Sequence, residues 1–159
     1  MYVEAMTFDD LSQQPGFPAL LGEYAEECAV DSLPVNLDPA RIISAYGPLA
    51  DCGLLHMFGA FISEEDGVPA LIGFLSMIVC PLPKYDYTVA ATESFFVAAI
   101  HRSTGAGLRL LHAAEACARA AGAVGMLVTA PSGGPLSKVL PRSGYSEKDQ
   151  VFCRRLSDA

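Results

Sequence analysis

The chain has 159 residues, 52% of them hydrophobic and 18% charged, with a formal net charge of −8. That length suits a single domain spanning 1–159 and buries roughly two-thirds of the unfolded surface, which excludes whole-chain disorder. No apolar run reaches the ~20 residues that cross a bilayer, and no concentrated cationic face is present for a phosphate backbone, so neither membrane nor nucleic acid is expected as a partner.

Met1 to Met6 reads as a short strand. Its Glu4, with Asp9 and Asp10 close behind, carries the wrong charge for a signal peptide, so the expected location is cytoplasmic. The stretch from Asp9 is broken at Pro15 and Pro18, then runs helically through Leu20, Leu21, Tyr24 and Cys28. Asp38 caps a second helix with Pro39 in its first turn, ending near Tyr46-Gly47-Pro48. Leu54 to Ser63 and Ala70 to Cys80 read as strands joined through Glu64-Glu65-Asp66-Gly67, with Pro81 and Pro83 ending their pairing. The longest apolar run, Val68 to Val79, contains Pro69 and Gly73 and carries one hydroxyl, Ser76.

Tyr87 to Ala99 is the next strand, followed by a glycine-bearing turn and a helix from about Gly105 to Ala121. Leu110, Leu111, Ala114, Cys117, Ala118 and Ala121 form one apolar stripe at steps of three and four; Arg109, His112 and Arg119 fall opposite. Gly122 is the left-handed stop, and Ala123 to Ala130 is expected as a buried apolar strand closing a parallel βαβ unit. A short helix from Gly134 to Arg142 and a strand from Gln150 to Leu156 complete an α+β fold.

The five cysteines are scattered with no Cys-x-x-Cys pair, and no histidines have ligand spacing, so no metal is expected and the thiols read as small buried hydrophobes. Charge is unevenly spread. Residues 1–87 hold two Lys/Arg against thirteen Asp/Glu, whereas residues 88–159 hold eight against five. An acidic half and a basic half suit two different partners.

The chemistry-bearing segment is Arg102-Ser103-Thr104-Gly105-Ala106-Gly107, set between a strand and a helix. A helix start presents unpaired N–H groups and the positive end of its dipole. Gly105 and Gly107 remove Cβ atoms where a diphosphate would approach, Thr104 or Ser103 can cap the helix or bond an oxygen, and Arg102 adds charge. A dinucleotide fingerprint and a P-loop both fail, because Leu108 and Arg109 stand where the latter needs Lys and Ser/Thr.

With its preceding strand, the segment Phe95 to Leu108 resembles the acetyl-CoA signature of the GNAT N-acetyltransferase family, Arg/Gln-x-x-Gly-x-Gly/Ala. The following helix, the strand to Ala130 and the ending Leu140-Pro141-Arg142-Ser143-Gly144-Tyr145 match that family's order over about 88–156. The resemblance implies a mixed sheet, an antiparallel N-terminal meander plus one parallel βαβ unit, with helices on both faces. It implies that Arg102, Ser103, Thr104, Gly105, Ala106, Gly107 and Leu108 hold the diphosphate of acetyl-CoA. It further implies that the strand bearing Phe96 and Val97 splays to admit pantetheine, with the backbone N–H near Val97 polarising the thioester.

Acetyl transfer to an amine needs a base, and Glu93, an acid among apolar neighbours four residues before Val97, is the candidate. Many family members carry a tyrosine acid where this chain has Leu140, and an asparagine where it has Gly133; Tyr145 is the substitute acid candidate. On the acceptor side, Glu23, Glu26, Glu27 and Asp31 favour a cationic amine on a small molecule or peptide, with Tyr85 and Tyr87 near the mouth. The same departures leave open a non-catalytic acyl-CoA sensor or partner subunit, and a homodimer is compatible with either.

Overall fold

The computed structural model describes residues 1–28, 38–63, 67–83 and 86–148. In chain order the elements are β1 (Tyr2–Met6), α1 (Phe8–Ser12), α2 (Phe17–Cys28), α3 (Pro39–Asp51), β2 (Leu55–Ser63), β3 (Pro69–Leu82), β4 (Tyr87–Val97), a 3-10 turn (Ala99–Thr104), α4 (Ala106–Ala120), β5 (Met126–Leu127), α5 (Pro135–Val139) and a second 3-10 turn (Leu140–Ser143). The five strands form one sheet in the order β1-β2-β3-β4-β5, antiparallel through β4 and parallel between β4 and β5. Helices pack on both faces, as expected.

Each face has its own core. On one side α4 lays Ala106, Leu110, Leu111, Ala114 and Ala118 onto Phe58, Ala60, Leu75, Met77, Val79, Ala90 and Val97. Small residues along that stripe let the helix approach the pleat closely, and each of the five is 4% exposed or less. On the other side Leu11 of α1 and Phe17 and Leu20 of α2 cover Met57, Phe61, Leu71, Phe74 and Phe96, with Tyr46 and Leu49 of α3 packed at the margin. Thr7 starts α1 with a capping box, accepting from the Asp10 N–H while the Asp10 carboxylate accepts from the Thr7 N–H.

Four local expectations are corrected. α3 does not end at Gly47-Pro48 but runs to Asp51 with Pro48 inside it. Pro48 lies on the exposed side, where water can satisfy the carbonyl it orphans, while Tyr46 and Leu49 pack inward. Pro81 does not end the β3–β4 ladder, which continues through Pro81↔Thr88 and Leu82↔Tyr87. The pairing of β2 with β3 ends at Leu55↔Ile78, with one further bond from the Val79 N–H to the Leu54 carbonyl, so the missing N–H of Pro81 faces an edge. The stretch from Ala123 to Ala130 is not a continuous buried strand: only Met126 and Leu127 pair, and Val124 and Leu127 are 71% and 54% exposed. Ala123, Met126, Val128 and Ala130 pack toward α4, so this stretch buries one face only among the described residues. Among the cysteines, Cys52 is exposed and Cys80 and Cys117 are half-buried, all unpaired, so the buried-thiol reading fails for Cys52. The expected final strand, 150–156, and the hairpin acids 64–66 lie outside the described residues.

Candidate active site

The site begins with an irregularity in β4. β3 and β4 pair in step from Gly73↔Val97 to Ser76↔Ser94, then resume at Met77↔Thr92. Glu93 is the extra residue, a β-bulge opposite no partner. Phe95 and Val97 belong to the α4-side core, and counting back by twos an unbroken strand would aim Glu93 there too. The bulge turns it to the opposite face. There its carboxylate Oε2 accepts a hydrogen bond from the Tyr46 hydroxyl and another from Ser76 Oγ at 2.9 Å.

Ser76 is fully buried and extends the network, with its Oγ 2.6 Å from Ser94 Oγ and accepting from the Ser94 N–H at 3.1 Å. Burial, then the bond to the Glu93 carboxylate and its charge, push the Tyr46 phenol well above its usual range. Tyr46 therefore remains a protonated donor toward Glu93 at any ordinary pH.

The second feature is a gap beside the same strand. β4 pairs with β5 only at Ala90↔Met126 and Ala91↔Leu127, and the Thr129 N–H then turns to Thr92 Oγ1 at 3.1 Å. From Glu93 to Val97 no residue of β4 has a β5 partner among the described residues. On its other edge β4 stays tightly held: a Cβ added to Gly73 would lie 2.7 Å from the Phe96 carbonyl oxygen. One edge of the strand end is sealed and the other is open.

The third feature is the start of α4, which follows directly from that open strand. Gly105 is its N-cap in the left-handed region at φ +83, and no side chain caps the turn. Thr104 Oγ1 instead donates to the His101 carbonyl at 2.7 Å and reaches only the Ala106 N–H, at 3.4 Å. A helix cannot satisfy its first-turn N–H groups internally, and they lie at a dipole end suited to an anion. A Cβ on Gly107 would touch Phe95 at an ordinary 3.6 Å, so Gly107 requires smallness but not glycine geometry.

Arg102 is engaged by its own chain. Its Nε donates to the Val97 carbonyl at 2.9 Å, its guanidinium lies 5.4 Å from the Phe96 ring centre, and its Nη2 pairs with Glu27 of α2. It clamps the turn between β4 and α4 and ties that turn to α2.

The remaining expected residues are dispersed. Ser103, Thr104 and Leu108 are exposed around the helix start. Glu23 and Glu26 are exposed on α2, Tyr87 is 41% exposed at the far end of β4, and Asp31 and Tyr85 lie outside the described residues. Tyr145 is on the α4 side of the sheet, where its hydroxyl donates to Glu115 Oε1 at 2.9 Å; burial and that carboxylate raise its pKa. The structure does not bring Tyr145 to Glu93. Sequence reasoning missed Tyr46, Ser76 and Ser94. Ser76, a lone hydroxyl in an apolar run, was the available signal; Tyr46 had none.

A sheet whose fourth strand bulges, splays from a parallel fifth and feeds a glycine-capped helix agrees with the family comparison, in which the acetyltransferase (GNAT) family model matches residues 25–142. The chain belongs to the GNAT acetyltransferase family. Solved structures agree in fold. A "probable acetyltransferase" matches with TM-score 0.73 at 20% identity, covering 100% of both chains. The ribosomal-protein-alanine N-acetyltransferase of Brucella melitensis biovar Abortus 2308 matches with TM-score 0.67 at 18% identity, over 98% of this chain and 100% of that one. An aminoglycoside acetyltransferase from an uncultured soil metagenomic sample, in complex with sisomicin, matches with TM-score 0.69 at 18% identity, over 98% and 95%. A comparison with curated proteins gives no match.

As a GNAT acetyltransferase the chain is an enzyme of acetyl transfer, and the family's general acetyl donor is acetyl-CoA. Among the described residues no cluster of His, Cys, Asp and Glu could hold a metal, and no helix is long and apolar enough to cross a membrane.

Proposed function

We propose that this GNAT enzyme transfers the acetyl group of acetyl-CoA directly to a primary amine, with Glu93 as the base. The observation that carries the reading is the bulge that sets the Glu93 carboxylate beside the unpaired end of β4. The residues present fit the donor: amides at Ala106, Gly107 and Leu108 would hold its diphosphate at the α4 start, and the open edge at Phe96 and Val97 would admit the pantetheine arm. When bound, the donor supplies an activated thioester carbonyl.

An alkylammonium with pKa near ~10 cannot attack until it loses a proton. Glu93 takes that proton, directly or through water, and the amine lone pair forms the new C–N bond as the C–S bond breaks; the second proton that the nitrogen sheds then passes to the departing thiolate to give the CoA thiol. The leaving thiolate needs little acid help near neutral pH, since a thiol pKa is about 8.5. This fits a site in which Tyr145 is committed to Glu115. Acidic Glu23 and Glu26, with Glu27 held near the β4 turn by Arg102, favour a cationic acceptor, small molecule or peptide. The unpaired thiols suit a reducing cytoplasm.

The test is release of free CoA thiol from acetyl-CoA over a panel of mono- and polyamines, aminosugars and peptides, with wild type against Glu93→Gln. Turnover of at least one amine, largely lost in the variant, is the expected result. Tight CoA binding with no turnover of any amine would instead leave an acyl-CoA sensor, a reading that the commitment of Tyr145 to Glu115 keeps in view.

A further inference from the structure

The Tyr46–Glu93 contact joins residues 47 positions apart, from α3 to the bulge of β4. Tyr46 stands at the margin of the core beneath α1–α3, its ring edge-on to Phe8 with centroids 5.8 Å apart, and these packing contacts aim its hydroxyl at the carboxylate. A bulge leaves its extra residue without a cross-strand neighbour to fix it, so the direction of the Glu93 side chain is set by what it meets.

Both donors converge on one atom. Tyr46 and Ser76 donate to Oε2, so this oxygen is anchored and the carboxylate plane is held by two contacts. Ser94 locks Ser76 in turn through its hydroxyl and its N–H. Neither of these two bonds engages the second oxygen, Oε1.

We infer that Tyr46 is the positioning residue of the catalytic base: its hydroxyl, with Ser76, grips Glu93 Oε2 so that Oε1 is presented to the incoming amine or its water. The inference rests on the reading of Glu93 as base and deepens it, naming a residue of α3 that acts through Glu93 without touching the substrate. It also gives the bulge a second consequence, since only on this face can the carboxylate meet α3.

The experiment compares Tyr46→Phe, Ser76→Ala, Glu93→Gln and the Tyr46→Phe/Glu93→Gln double variant, using acetyl-CoA and the panel amine that wild type acetylates fastest. Tyr46→Phe keeps the ring packing and removes one hydrogen bond to a charged group, so kcat should fall about tenfold while KM for acetyl-CoA and the affinity for CoA stay within about twofold. Ser76→Ala should behave alike. In the double variant the loss should equal that of Glu93→Gln alone, because the hydroxyl then has no carboxylate to hold.

A second readout needs no turnover. The chain has six tyrosines and no tryptophan, so phenol ionisation can be followed by absorbance, with the Tyr46 signal identified as the one missing from Tyr46→Phe. Burial first, then the bond to Glu93 and its charge, then Tyr24 raise its pKa, and Glu93→Gln should let it ionise at lower pH than in wild type.

Full kcat in Tyr46→Phe beside a slow Glu93→Gln would overturn the positioning role and leave the base intact. Full kcat in Glu93→Gln would overturn the base itself and this inference with it. A double variant slower than Glu93→Gln by the whole Tyr46→Phe factor would show a merely structural tyrosine and also overturn it.

Discussion

The two faces of the sheet solve opposite problems. On the α4 face the helix packs small and branched side chains onto the sheet, and the glycine-capped start of that helix follows the end of β4. The α1–α3 face carries aromatic residues, among them Phe8, Phe17, Tyr24, Tyr46, Phe74 and Phe96, and admits the polar group of Tyr46, Glu93, Ser76 and Ser94. In the function proposed above, one face positions the donor by geometry and the other positions a charge by hydrogen bonding. Mutations on the first should read out as stability or cofactor affinity, and on the second as rate.

The sharpest way to break that division is Glu93→Gln, which should cost a hundredfold or more in kcat, on the order of 10²–10⁴ for a lost general base. Its unfolding midpoint should stay near wild type, because Glu93 is exposed. Steady-state kinetics beside a denaturant curve checks both, and a large loss of stability with unchanged rate would reverse the assignment of the faces.

Leu110→Ala should do the opposite. The residue is 0% exposed in the α4 seam, so truncation should destabilise by about 2–5 kcal/mol in urea unfolding, with kcat close to wild type at temperatures where the variant is folded. Gly105→Val tests the hinge between the regions. A β-branched residue at φ +83 is strained by roughly 1–3 kcal/mol, and calorimetry should show CoA affinity falling in parallel as the first-turn amides shift. Gly107→Ala is the mildest case: its methyl would meet Phe95 at 3.6 Å without a clash. Affinity for CoA should change by less than about threefold, under ~1 kcal/mol. A Gly107→Ala effect as large as that of Gly105→Val would mean that direct contact, not backbone conformation, sets the loop's requirement.

The α4 face was legible in the sequence because its signals are local. The stripe from Leu110 to Ala118 repeats at helical spacing, Gly122 follows as the stop, and the glycines at 105 and 107 sit where a strand gives way to a helix. Glu93 could be singled out as a misplaced acid, although nothing in 87–97 revealed that it is the bulged residue. Where local rules competed, they misled. Pro48 and Pro81 read as breaks, yet Pro48 sits on the exposed side of α3, where water can take the orphaned carbonyl, and the missing N–H of Pro81 faces a sheet edge. Ala123 to Ala130 read as a buried strand from its apolar run, yet only two of its residues pair with β4.

Arg102 shows the same limit at the site. Its place in the signature motif was plain, but its engagement with Val97, Phe96 and Glu27 depends on α2 packing against the β4 turn. From periodicity and one glycine-rich turn, the sequence alone determined most of the order of elements and singled out the start of α4, whereas the helices on both faces came from the family resemblance. Only the tertiary structure decided that Glu93 faces Tyr46 and not the α4 core, because a bulge is a property of register between two strands. Such a register is set by packing across the whole sheet, which no short window of one strand encodes.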